Sequence, residues 1–275
     1  MRKIFYLFLA ALALVACDKG NEPTFVSEGA LKGKFTINAA GDKIVFSKGN
    51  LQYVGTWQFA EHQWDTIGAG QDDDHRDLFC WGTGDAPNKI SKSENDYADF
   101  VDWGVNPITN GGNADSLWRS LTADEWVYLF YSRSNAATLF ALGSVNGVNG
   151  LILLPDNWTL PKGAAFASAS AKGYEWENSV DGNYTGCAYT DNEYSIKQWK
   201  KMESAGAVFL PAAGSRSGTK ITTAAGSFGF YWSATPGPTG TAKCSLFYSR
   251  DLYPQTGNMR YVGSAVRLVQ DVRKK

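Results

Sequence analysis

The amino-acid sequence predicts an α+β domain built of short, mostly antiparallel strands, two helices and long loops. Two capping signatures, at Thr122 and Ser195, each stand before an apolar stripe at helical spacing. Short β-branched and aromatic runs punctuated by glycine turns fill both ends of the chain, and no pattern longer than a hairpin repeats. Composition agrees: 29 glycines, 14% aromatic residues and only 19% charged ones describe a compact, turn-rich body rather than a disordered one. With 275 residues, 44% of them hydrophobic, the chain can fill one sizeable core, and a single domain over residues 34–275 is expected.

In chain order, Arg2 and Lys3 come first, followed by the apolar stretch Ile4 to Ala16 and the cysteine of Leu14-Val15-Ala16-Cys17. This is the layout of a secretory signal, and the stretch is shorter than the about 20 apolar residues a membrane span requires. It resembles the bacterial lipoprotein signal. That resemblance implies removal of residues 1–16 and acylation of Cys17, so that several chains hold the protein to a bilayer where one alone would bind only marginally. The alternative is an ordinary cleaved signal with an incidental cysteine. Residues 17–33 carry Gly, Asn, Pro, Ser and Glu with little apolar periodicity and read as a flexible tether. The expected contact with the membrane is the lipid anchor alone, at the envelope of a Gram-negative bacterium, on its outer membrane or cell surface.

The runs Lys34–Ile37, Lys43–Phe46, Asn50–Val54 and Trp57–Ala60, broken by Gly41-Asp42 and Gly55-Thr56, predict a β-meander. Residues 68–113 turn polar and Gly-rich, with brief apolar interruptions at Leu78–Trp81 and Phe100–Trp103, and read as long ordered loops. Thr122 and Glu125 have the form in which each end of a first helical turn caps the other, and Trp126, Leu129, Phe130 and Arg133 follow on one face. Ser195 and Gln198 repeat the signature, Ile196, Trp199 and Met202 supply the stripe, and Gly206 suits the left-handed cap, which places a second helix over roughly 196–205. Leu151–Leu154 and Ala207–Leu210, each ended by a proline, read as buried strands. Phe228–Ala234, Cys244–Ser249 and Ala265–Val269 complete the expected strands.

The segment Trp118-Arg119-Ser120-Leu121-Thr122-Ala123-Asp124-Glu125-Trp126 resembles the W-R-x-L-T-x-x-E-W stretch of FISUMP-type major paralogous domains. Tyr231-Trp232-Ser233-Ala234-Thr235 and Gly263-Ser264-Ala265-Val266-Arg267-Leu268-Val269 are similar to two later landmarks of those domains, in the same order. The resemblance covers roughly residues 118–269. It implies a C-type-lectin-like fold, shared with formylglycine-generating sulfatase-modifying domains. Two departures limit what carries over. Oxidase chemistry of the formylglycine type needs a close cysteine pair near the carboxy terminus, and only Cys244 lies beyond Cys187. The Glu-Pro-Asn or Gln-Pro-Asp loop of calcium-dependent lectins is missing, Leu154-Pro155-Asp156-Asn157 being a faint echo.

Removing residues 1–16 leaves 24 Lys plus Arg against 27 Asp plus Glu, a mature charge of about −3, which excludes the strongly basic face of a nucleic-acid binder. Cys80, Cys187 and Cys244 can make at most one disulfide, are too widely spaced for a zinc or redox motif, and read rather as buried free thiols. Asp72, Asp73, Asp74 and Asp77 could coordinate calcium if the loop curls around the ion; otherwise they form a solvated loop. Trp103, Trp176, Tyr184 and Tyr253 lie in Gly-, Asn- or Asp-rich surroundings, where an aromatic face could stack on a sugar ring beside amides that bind its hydroxyls. The alternative is that inward Trp and Tyr pin long loops. Trp126, Trp199 and Trp232 are assigned to the core, and Arg267 to a buried carboxylate such as Glu125. Only His62 and His75 could serve a Ser-His-Asp triad, and no nucleophile-elbow or nucleotide-binding motif occurs. Asp102 and Glu175 are undistinguished candidates for a glycosidase pair.

The expectation is a non-catalytic, lipid-anchored binding module presenting a loop surface to a glycan or an envelope protein. A structural or adhesive component associated with surface filaments is the alternative, which an exposed edge strand or apolar patch would favour. A carboxylate-based hydrolase is the third reading.

Overall fold

The computed structural model describes residues 27–222 and 225–272, which form a mixed α+β fold with few short helices and several antiparallel and mixed sheets. The signal segment and Cys17 lie outside the described residues.

The largest sheet has seven strands, in the order Leu78–Phe79, Ser264–Ala265, Phe228–Pro236, Thr241–Tyr248, Asp251–Met259, Asn183–Thr185, Glu175–Glu177. Its centre is the antiparallel run Phe228–Pro236, Thr241–Tyr248 and Asp251–Met259. Side chains alternate across it: Tyr231, Phe247 and Leu252 enter the main core cluster, whereas Phe228, Phe230, Leu246, Tyr248 and Tyr253 stay half-buried on the other face. A four-stranded sheet runs Glu193–Tyr194, Phe140–Val145, Val148–Leu153, Val208–Pro211. Its hairpin turns on Asn146 and Gly147, with φ of 52° and 77°, as a two-residue turn matched to strand twist requires.

Helix α1, Ala123–Val127, begins as the sequence predicts: the Thr122 hydroxyl accepts from the Glu125 N–H, and the Glu125 carboxylate accepts from the Thr122 N–H at 2.8 Å. A π-helical turn, Tyr128–Ser132, continues it. Trp126, Leu129, Phe130 and Arg133 all turn inward, and burying a side chain such as Leu129 or Phe130 contributes about 2 kcal/mol. Helix α2, Ile196–Ser204, carries the second reciprocal cap, between Ser195 and Gln198, and buries Trp199 and Met202. Gly206 closes it at φ +99°, and a side chain there or at Gly33 would strike the other's backbone.

That contact moves the start of the ordered body. Residues 27–33, expected within the tether, belong to it: Leu31 is buried and its N–H donates to the Phe46 carbonyl at 2.8 Å. The expected strand Ala265–Val269 is instead split, Ser264–Ala265 joining the large sheet and Val269–Asp271 a three-stranded one with Lys43–Phe46 and Phe35–Thr36. Between them Val266 and Leu268 accept from the Leu51 and Ser47 N–H groups. Two long strands, Phe140–Val145 and Asp251–Met259, were not expected. Asn146-Gly147 signals the first hairpin; in the second, Pro254 and Gly257 disguise a strand whose pairing slips at Leu246.

Candidate ligand-binding cleft

Arg133, the last residue of the predicted stripe, lies at the wall of a surface cleft. Its side chain is only 1% exposed, and its Nε donates to the Leu129 carbonyl at 2.7 Å, capping the π-turn. Its Nη1 reaches Asp156 at 3.4 Å. Burial pulls the guanidinium down to about 10, a loss that Asp156 opposes. Asp156 sits in the turn after strand Val148–Leu153 and joins three elements. Thr36 donates to it from backbone and hydroxyl, and the Lys43 ammonium lies 3.3 Å away. Burial alone would raise its pKa, but the Thr36 bonds, Arg133 and Lys43 together hold the carboxyl below its usual value.

Above this ion cluster lies a cleft of about 580 Å³, within the range of small-ligand sites. Tyr128 and Trp158 supply half-buried rings, while Ser134, Asn135 and Asn157 are exposed with their side-chain polar groups unspent within the protein. Asn135 is held at φ 58°, a left-handed conformation that Asn tolerates better than most residues. The sequence reading missed Lys43, Tyr128, Asn135 and Trp158. The available signal was Pro155-Asp156-Asn157, a turn sequence ending a buried strand.

The residues singled out from sequence fall elsewhere. Trp103 is fully buried among Phe79 and Phe100, so it is core and not ligand-binding. Tyr184 is also buried, its hydroxyl donating to the Phe130 carbonyl at 3.1 Å. Trp176 is half-buried and stacks on the exposed Tyr131 at 4.2 Å. Trp176 and Tyr184 are cross-strand partners with ring centroids 4.9 Å apart, whereas Tyr184 pairs on its other side with Leu252, so Tyr253 points to the opposite face and does not join them. On that other face Tyr253, Tyr248, Phe228 and Phe230 form a ladder of near-parallel rings, centroids 4.8–6.2 Å apart.

The four aspartates divide. Asp72, Asp73 and Asp74 are exposed, whereas Asp77 is buried and accepts from the Ile67 N–H and the Gln71 amide. Burial pushes its carboxyl up to about 6. Asp72 spends one oxygen on the Asp74 and His75 N–H groups. Among the described residues no group of three or more His, Cys, Asp or Glu is placed to hold a metal ion, and the exposure of Asp72, Asp73 and Asp74 fits the solvated-loop reading. Calcium needs six to eight convergent oxygens, and this loop turns its acids apart.

Arg267 does not meet Glu125. It is fully buried and donates to Gln63 at 2.8 Å and Asn50 at 3.3 Å, while Glu125 is taken by Arg119. Cys80, Cys187 and Cys244 are free and buried. Asp102 accepts from the Ser120 and Gly104 N–H groups, and Glu175 is exposed on an edge strand. His62 and His75 are exposed, each beside an aspartate.

No family model, no curated protein and no solved structure matches the chain. What the molecule recognises has to be argued from its own surface.

Proposed function

We propose that the chain is a non-catalytic, lipid-anchored binding module that takes a glycan in the Asp156 cleft, held at the envelope through Cys17. The observation that carries this reading is the pairing of two aromatic walls, Tyr128 and Trp158, with the unspent polar groups of Ser134, Asn135 and Asn157. Rings stack on the apolar face of a sugar and amides bind its hydroxyls. The Asp156 carboxylate is fixed by its partners rather than poised for proton transfer, which favours binding over hydrolysis. A C-type-lectin-like arrangement with FISUMP-type relatives fits this use of the fold, and so does attachment to the outer membrane or cell surface. The test is a glycan array with the mature protein carrying Cys17→Ser, which removes the acylated thiol. Binding should be lost in both Trp158→Ala and Asn157→Ala; retention in both variants refutes the cleft.

The aromatic ladder favours a second reading, a structural or adhesive component that docks on a protein partner such as a surface filament. Clustered rings on one sheet face are typical of protein contact surfaces. Replacing Phe228 and Tyr248 with serine should then release a captured envelope protein and leave glycan binding intact.

A further inference from the structure

We propose that the edge strand Glu175–Glu177 docks an extended basic segment of another protein, which adds to the seven-stranded sheet as a further strand. The inference does not depend on what the Asp156 cleft binds. Among the described residues no strand lies beyond Glu175–Glu177, whereas Leu78–Phe79 at the other end of the sheet is buried. An edge leaves a row of backbone N–H and C=O groups open to a further chain. The register with Asn183–Thr185 turns Trp176 to the core side, beside Tyr184, and Glu175 and Glu177 to the opposite side. Charge on its own only blunts an edge. Here an apolar step accompanies it: Tyr131 is 51% exposed and stacks on Trp176, and Val180, just past the strand, is wholly exposed.

The charges decide the occupant. Glu175 and Glu177 are exposed and make no hydrogen bond or ion pair with any described residue. The neighbouring acids are Asp181, Asp191 and Asp251, and each has a cation beside it. Lys243 lies 3.4 Å from Asp181, Lys172 lies 3.1 Å from Asp191, and Arg250 precedes Asp251 in the turn that ends two strands inward. The two glutamates are left as the unmatched anions of this edge. A second copy pairing antiparallel about Trp176 would set Glu175 of one chain opposite Glu177 of the other, and like charges directly opposite are destabilising. A strand that alternates Lys or Arg with apolar residues meets both demands. Its cations face Glu175 and Glu177 on one side of the sheet, and the apolar residue between them packs on Trp176 and Tyr131 on the other.

The test measures, by fluorescence anisotropy at low salt, the binding of labelled, end-capped peptides to the mature Cys17→Ser protein. One peptide alternates Lys and Val, one carries the same residues in two blocks, and one alternates Glu and Val. The alternating basic peptide should bind and the other two should bind about tenfold or more weaker. Added salt should weaken the binding. Glu175→Lys with Glu177→Lys, its melting temperature unchanged, should reverse the preference and take the acidic peptide. Glu175→Gln with Glu177→Gln, which keeps the shape, should lose the basic peptide without gaining the acidic one, and Tyr131→Ser should weaken it with the charges intact. Failure of the basic peptide to bind overturns the proposal. So does equal binding of the block peptide, which would show diffuse charge attraction, and so does binding that survives both glutamate replacements, which would place the peptide elsewhere. Glycan binding is read separately by the array and stands or falls on its own.

Discussion

Asp77 gives the sharpest physical test of the fold. Its carboxyl is 2% exposed, held by the Ile67 N–H and the Gln71 amide, with its pKa pushed up to about 6 from an ordinary 3.8 by burial. Between those two values the native state binds more protons than the unfolded chain. The unfolding free energy therefore falls as pH rises through that window and levels off above about 6. At 1.36 kcal/mol per pKa unit the gap amounts to about 3 kcal/mol. Asp77→Asn cannot titrate. It turns one acceptor into a donor, at a cost of about 1–3 kcal/mol that does not vary with pH. Subtracting variant from wild type cancels every other group, including Asp72 and Asp156, whose lowered values place their own losses below pH 3.8. Urea unfolding at pH 4, 5, 6 and 7 should show wild type losing stability relative to the variant by about 2.4 kcal/mol across the series, the rest of the gap lying below pH 4. A difference that is flat with pH, or that grows in the opposite sense, would refute the burial argument for this carboxyl.

Gln63 makes four bonds, donating to Glu203 and the Ala207 carbonyl and accepting from the Phe209 N–H and Arg267. Gln63→Leu strands a buried guanidinium and should cost about 3 kcal/mol or more in urea unfolding. Thr122→Ala removes one half of the α1 cap and should cost about 1 kcal/mol, read by the same assay. Burial raises the Cys187 thiol and pushes Cys244 up to about 12, and Cys80 is equally enclosed. The folded Cys17→Ser protein should therefore resist a thiol reagent at pH 8 and yield its three thiols only in denaturant.

Both helix starts were legible in the sequence because a capping box is local: three residues separate Thr122 from Glu125 and Ser195 from Gln198, and the hydrogen bonds close within one turn. The core tryptophans on those stripes were legible for the same reason. The cleft was not, because its wall joins Thr36 and Lys43 to Tyr128 and Asn135 and to Asp156, contacts that only the packed sheets create. For Trp103 the sequence left a sugar platform and an inward, loop-pinning ring both open, and its burial fits the second. Gly104 is not there to free a loop; a side chain on it would collide with the Trp118 backbone, so the glycine permits close packing over a buried ring. Nothing local separates Asp77 from Asp74 either, since their difference is made by what the Ile67 and Gln71 segment covers.

The same packing holds the long loops, where composition pointed, tightly to the body of the molecule. Three arginines tie residues 68–113 down by their backbone carbonyls: Arg76 reaches Asp72 and Pro87, Arg216 reaches Leu78, and Arg260 reaches Tyr97 while lying 4.5 Å over the Trp81 ring. A guanidinium carries five donors in a fixed fork, so one side chain can close several turns of irregular backbone at once. Asp102 does the same from the acceptor side, with the Ser120 and Gly104 N–H groups. Much of the polar capacity in this region is thereby spent inside the molecule, and a loop held this way has little left to offer a ligand. At the Asp156 cleft, where a helix and a strand end, Ser134, Asn135 and Asn157 keep their side-chain polar groups unspent within the protein, with the Lys43–Asp156 ion pair beside them. A surface there is pre-organised by Arg133 and Asp156 beneath it, so a ligand would meet groups already fixed in place rather than a loop that has to rearrange.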